Sequence, residues 1–333
     1  MSAPNEDFQA PPPPPTPETK PARPVKLLMV GIGLFVVGLI VLVGGIAKFI
    51  SGGISTGVVI AVSGAILLAL SFVRLPVVPE SEEPLPLLTK VTGIFYEPTR
   101  VFRNLRAHPN WFGAFVIICV LTAIYSFSFV QRITPERIVD HTISKLSEMG
   151  PPFAPPADRL EAMKTEQLQS LKNPSERIGA VVKSFVGILV VSCIVAALSL
   201  LGVLAFGGRM NFWQALAVTF YGTLPIVVIQ KLLGLAILYL KAPEDLHPIL
   251  NQETTLQDNL GILFSPANHP ILFVMASFIG FTSFYALWLR ARGLHAGGTR
   301  VSKSAGWGVA IMLWVLLLIL ATIFTALFPG FIS

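Results

Sequence analysis

The chain has 333 residues, of which 53% are hydrophobic and only 13% are Asp, Glu, Lys or Arg, against roughly 25% charged residues in a soluble domain. So little charge cannot coat a soluble surface. The net +6 is dispersed between apolar runs rather than gathered on one face, which excludes nucleic-acid binding and leaves a polytopic membrane protein.

In chain order, residues 1–26 come first. The run Pro11–Pro15, with Pro4, Pro17, Pro21 and Pro24, is too poor in apolar side chains to pack and too rich in proline for helix or sheet. It reads as a disordered cytoplasmic tail, with a ligand for a polyproline-binding groove as the lesser alternative.

Seven runs then follow that are long and apolar enough to cross a bilayer as helices: Leu27–Ile50, Ile54–Val73, Trp111–Val130, Gly179–Phe206, Phe212–Leu240, Ile271–Leu289 and Ala305–Phe328. Helix is the expected form because unpaired backbone groups find no water in lipid. The first run is longer than a signal peptide's apolar core and reads as an uncleaved anchor. The first two form a hairpin over 27–74, turning at Ser51-Gly52-Gly53. On the second, Gly57, Ala61, Ala65 and Ala69 form a ridge of small residues that lets a neighbouring helix approach closely. The first span is the expected neighbour and a second copy of the chain the alternative.

Residues 75–110 are a cytoplasmic linker that opens with the polar stretch Glu80-Ser81-Glu82-Glu83-Pro84. Within it, Pro98 to Ala107 predicts a short amphipathic helix. Val101, Phe102 and Leu105 lie on one side and Arg100, Arg103 and Arg106 on the other, a pattern that suits the anionic inner surface of a membrane. A membrane domain over 111–333 then holds five spans and an outer helical loop, 131–178. In that loop, Thr134-Pro135 predicts one helix start and Gly150-Pro151-Pro152 its stop. Asp158 with Glu161 predicts a second start, and Asn173-Pro174 its stop.

Lys and Arg set the orientation. With the N-terminus inside, the inner segments hold Lys20, Arg23, Lys26, Arg74, Lys90, Arg100, Arg103, Arg106, Arg209, Arg290, Arg292, Arg300 and Lys303, more than half of the 24 cations. The C-terminus then lies outside. Trp111, Trp213, Trp288 and Trp307 fall at inner span ends, where interfacial indoles are expected.

Signatures of catalysis are missing. No predicted span carries Asp, Glu or His, so no proton relay, carboxylate pair or metal site is expected within the bundle. All 5 histidines lie outside the spans, without a Ser or Cys nucleophile at a suggestive spacing. Cys119 and Cys193 are mid-span and read as small apolar packers, and Glu244, Asp245 and His247 as solvated loop charge. No cofactor or metal is expected. Lys183 lies a turn inside its span and can snorkel. Lys231, nine residues before Leu240, sits about 13 Å deep at 1.5 Å per residue and is the one candidate intramembrane site, suited to an anionic headgroup or small ligand.

Three stretches carry a family resemblance. Phe95-Tyr96-Glu97-Pro98-Thr99-Arg100-Val101-Phe102, then Pro109-Asn110-Trp111, then Phe220-Tyr221-Gly222-Thr223-Leu224-Pro225 resemble the Yip (Ypt-interacting protein) domain family, particularly its bacterial members. The last is similar to the family's tyrosine-glycine-proline signature. The resemblance implies five spans, a cytoplasmic segment before them and an external C-terminus. In eukaryotic relatives it also implies binding of prenylated Rab-type GTPases. The Asp-Leu-Tyr-Gly-Pro stretch of those relatives has no counterpart here, so GTPase binding is not carried over. The hairpin lies outside the resemblance.

Two functional expectations follow. The first is a non-enzymatic integral membrane protein of a bacterial cytoplasmic membrane that organises or binds other membrane components. The second is a small-solute permease or channel, with Gly222, Pro225 and Lys231 at a helix break near the bilayer middle.

Overall fold

The computed structural model describes residues 25–47, 53–73, 83–148, 155–252 and 255–327. The Pro-rich tail, Glu80-Ser81-Glu82 and the Gly150-Pro151-Pro152 stop lie outside them. Within them the chain is all-helical, α1 to α12, with two isolated β-bridges and no strand among the described residues.

Helices α1 (Val25–Ile46) and α2 (Gly53–Ser71) form the expected hairpin. Their backbones touch: a Cβ added at Gly38 would lie 2.2 Å from the Ala61 nitrogen, and one at Gly57 2.3 Å from the Leu42 nitrogen. The expected ridge is corrected in one respect. Gly57 and Ala61 are buried, but Ala65 and Ala69 are exposed, and Gly64 takes the next contact, against Phe35. A row at every fourth position drifts about 40° per step around a helix of 3.6 residues per turn, so four small residues so spaced cannot all face one neighbour. α2 in turn docks on α8 (Pro174–Ala205), where Thr56 meets Gly179.

Five helices are long and apolar enough to cross a membrane: α1 over Leu28–Ile46, α5 (Phe112–Ile133), α8, α9 (Phe212–Leu240) and α12 (Lys303–Leu327). Their outward residues, such as Val191, Ile194 and Leu201 on α8 and Ile319, Leu320 and Ile323 on α12, are exposed. Bands of large apolar side chains facing outward are what lipid, not water, tolerates. This is an integral multi-pass membrane protein.

Two of the seven expected spans fall short. α2 is apolar only over Thr56–Ser71. Ile271–Leu289 is divided into α10 (Pro270–Ser277) and α11 (Phe281–Gly297). The interruption has a visible cause. The segment after α9 returns to the break, where the Leu260 N–H donates to the Ile279 carbonyl (2.9 Å) and the Asp258 carboxylate accepts from the Thr282 N–H (2.6 Å). Gly280 permits this approach, since a Cβ there would lie 2.7 Å from that of Asn259. Phe278 is level with Trp314 in the middle of α12, their ring centroids 6.2 Å apart. An acid from the segment after α9 thus caps a helix start at mid-bundle, satisfying a donor that a helix N-terminus leaves free. Asp258→Ala is expected to destabilise the protein by about 1 kcal/mol, the usual cost of a lost cap, and Asp258→Asn by much less. Thermal unfolding of both variants in detergent checks this.

The 131–178 loop contains two helices, α6 (Pro135–Glu148) and α7 (Ala157–Lys172). They pair through Lys164–Asp140 (2.7 Å) and Lys172–Glu136 (2.6 Å), with Ile138 and Leu171 turned toward Tyr125 and Phe129 of α5. α7 begins one residue before Asp158, which lies in its first turn, and Pro156 makes no side-chain cap. The linker carries a helix that was not foreseen, α3 (Leu87–Tyr96), parted from α4 (Pro98–Ala107) at Glu97. Pro98 explains the parting, because proline disfavours helix at the residue before it.

The core gathers around α9. Trp111 and Trp213 stack at 6.3 Å and Trp111 on Phe220 at 5.5 Å, and the Trp213 indole donates to the Val73 carbonyl at 2.9 Å. Both tryptophans are buried, so the expectation of interfacial indoles is corrected for them; Trp307 is exposed and Trp288 half-buried. The apolar payload of an indole suits helix packing as well as an interface. Cys119 is buried, Cys193 half-buried, and both are free thiols.

Candidate functional site

The family-motif residues lie at the heart of the bundle. Tyr221 is fully buried, and its hydroxyl has no hydrogen-bond partner among the described residues. Gly222 borders open space. Pro225 is inside α9, which runs unbroken from Phe212 to Leu240. The expected break at Gly222 and Pro225 is therefore absent, and the interruption lies at Phe278–Gly280 instead. Pro225 still removes the N–H that would have bonded the Tyr221 carbonyl. Tyr221 and Lys231 are ten residues apart, about 15 Å along the helix, and do not share a site.

Lys231 is where the sequence placed it, inside the bundle. It is 6% exposed, and its ammonium lies 4.6 Å from the centroid of the Tyr125 ring. Tyr125 is fixed in turn by donating to the Asn251 carbonyl at 2.6 Å. Next to Lys231 lies a cavity of about 250 Å³ between α5, α7, α8 and α9. Arg177, half-buried in the first turn of α8, also lines it and stacks over Phe127 at 4.7 Å. Its distance from the end of an uncharged run marks Lys231 as a deep cation; nothing in the sequence links it to Arg177, which is more than fifty residues away on a different helix.

At the opposite end, α4 is amphipathic as expected, but its apolar side meets protein. Val101, Phe102 and Leu105 are buried against α9 and α11, with the Phe102 ring filling the space over Gly293. That side therefore does not lie against the acyl region of a membrane, because α11 offers it a glycine face that excludes lipid. The Gln214 side chain bridges α9 to α4 by donating to the Arg106 carbonyl (2.7 Å) and accepting from the Asn211 N–H (2.7 Å). Arg100 and Arg103 are exposed and Arg106 half-buried. Arg100 also pairs with Glu97 at 3.0 Å.

Among the described residues no group of three or more His, Cys, Asp or Glu converges as metal ligands. Glu244 and Asp245 are exposed, as solvated loop charge should be, but His247 is not. Its ring meets that of His141 edge-on at 4.9 Å. Its Nδ1 accepts from the N–H groups of Ile249 (3.2 Å) and Leu250 (3.1 Å). Arg137 closes the junction by donating to the Pro243, Glu244 and Leu246 carbonyls.

Burial is the first cause that holds both imidazoles below their ordinary value. Lys145 and Arg137 act in the same direction, Glu148 opposes them at His141, and His141 itself lowers His247. The folded state thus disfavours the protonated rings, so the unfolded chain binds more protons in the window where they titrate. Stability is complete above the unfolded value of about 6.5. It falls as pH drops through that value and stops falling below the depressed folded ones. Hydrogen exchange over α6 and the segment after α9 is expected to be faster at pH 5 than at pH 7.5, after correction for the intrinsic rate. Equal corrected protection would contradict this.

The family profile described as Yip1 domain matches residues 92–324. No curated protein and no solved structure matches the chain.

Proposed function

The chain belongs to the Yip1 domain family, and from that premise we propose that it is a non-enzymatic membrane protein that organises other membrane components. Its N-terminus and the α4 end face the cytoplasm of a bacterial cell, and its C-terminus faces outward. α2 and the α10–α11 unit complete the seven membrane segments with the five long helices.

The observation that carries this reading is the docked basic helix. α4 is held by the core, so its cations are presented from a fixed base. Arg100 and Arg103 are exposed there, and Arg209, Arg292, Arg300 and Lys303 are exposed on the neighbouring elements. The Arg209–Thr299 bridge ties those elements together at this end of the bundle. A fixed cationic face next to a bilayer attracts anionic headgroups at about 1 kcal/mol per cation near the surface. A photoreactive residue in place of Arg103, activated in native membranes, is expected to give discrete adducts with anionic lipid or a partner membrane protein. Only the diffuse lipid adducts given by the same probe at Val191 would count against it.

One observation favours the permease reading. The divided α10–α11 helix, with Asp258 at its break, is the type of element that exposes backbone to substrate in transporters. It ranks second because the Asp258 carboxylate is engaged in capping α11 and because α9 is continuous.

A further inference from the structure

The cavity beside Lys231 has a chemistry of its own. Its floor and rim each carry a cation. Lys231 lies about 13 Å from the end of α9 by helical rise, and Arg177 lies in the first turn of α8. Between them Ser126, Ser184 and Gln252 offer donors, and Phe127 and Phe185 offer apolar wall. No acidic side chain is among the described residues that line it. A volume of about 250 Å³ far exceeds the ~30 Å³ share of one water. Each cation lies over an aromatic ring, Lys231 over Tyr125 and Arg177 over Phe127, a contact favourable to a cation.

Two cations of which one is a guanidinium, hydroxyl donors and apolar wall together match an oxyanion carried on an apolar stem. We propose that this cavity binds an amphiphile whose phosphate headgroup is net anionic, its phosphate held by Lys231 and Arg177 and its stem against Phe127 and Phe185. This rests on the reading of the protein as one that binds membrane components, and it names the chemical class of one of them.

The test uses the full chain purified in a mild detergent. Retention by native mass spectrometry and thermal stabilisation are measured with phosphatidylglycerol, with phosphatidylcholine and with inorganic phosphate. The wild type is expected to retain phosphatidylglycerol at least tenfold better than Lys231→Met or Arg177→Gln. Lys231→Arg is expected to recover much of the difference, and Arg159→Gln, exposed on α7 and outside the cavity lining, to behave as wild type. Stabilisation by inorganic phosphate that both variants lose would support the oxyanion site and identify a soluble source. Equal retention by wild type and both variants, or equal retention of phosphatidylcholine, would overturn the proposal. Arg177 is half-buried at a helix end, so its variant gives a reading even where Lys231→Met fails to fold. Adducts from the Arg103 probe that persist in such a case would leave the broader reading standing while this site fails.

Discussion

Gly57→Val is expected to separate the α1–α2 hairpin. The first added carbon alone would lie 2.3 Å from the Leu42 nitrogen and 2.5 Å from its Cα, and no rotamer moves a Cβ away from a backbone. The two helices must part along their length, which forfeits the close contact that drives helix association in lipid. The cost is expected to reach or pass the ~3 kcal/mol upper range of ordinary overpacking. Gly38→Val is expected to behave alike, because its Cβ meets the Ala61 backbone at 2.2 Å. Ala65→Val, on the exposed side of the same helix, is expected to change little. A cysteine pair placed across the hairpin, scored for disulfide formation, reads the separation directly. Equal crosslinking in Gly57→Val and Ala65→Val would show that the contact is not tight.

Phe102→Ala is expected to release α4 from the bundle. The ring is fully buried and touches the space over Gly293. Truncating a buried phenylalanine costs about 3–5 kcal/mol, part of it from the cavity left behind. The Gln214 bond to the Arg106 carbonyl is neutral and contributes only about 1 kcal/mol, too little to hold the helix by itself. Trypsin should then cut at Arg100, Arg103 and Arg106 much faster than in the wild type, while Arg292→Gln leaves that rate unchanged. A thiol-reactive dye reporting on buried Cys119 separates local release of α4 from loss of the whole core.

The sequence carried the architecture because lipid simplifies the code. Length and apolarity mark a span, Thr134-Pro135 marks the start of α6, and the capping and stop residues around α7 place both of its ends within one residue. What it concealed are long-range pairings. Ile271–Leu289 carries no charge, and its interruption depends on Asp258 and Asn259 meeting Gly280 across more than twenty residues. Gly280 was the one local signal, and glycine within a span has too many uses to single out a break. Pro225 gave the opposite error: a proline in a helix suggests a break, yet α9 absorbs it within tight packing. The consequence reaches function. An absence of acids from the spans argued against proton coupling, but folding brings Asp258 to mid-bundle from a loop. Lys231 was legible because a charge in an apolar helix stands out. Arg177 was not, because at a helix end an arginine is ordinary until the fold sets it beside a cavity.

Solute flux separates a membrane organiser from a permease. The purified full chain, reconstituted in liposomes of anionic and zwitterionic lipid, should leave the passage of protons, small ions and small neutral solutes at the rate of protein-free liposomes, and Asp258→Asn should leave that rate unchanged. Flux well above that of empty liposomes, lost in Asp258→Asn, would contradict a membrane organiser and make the α10–α11 break the path of a permease.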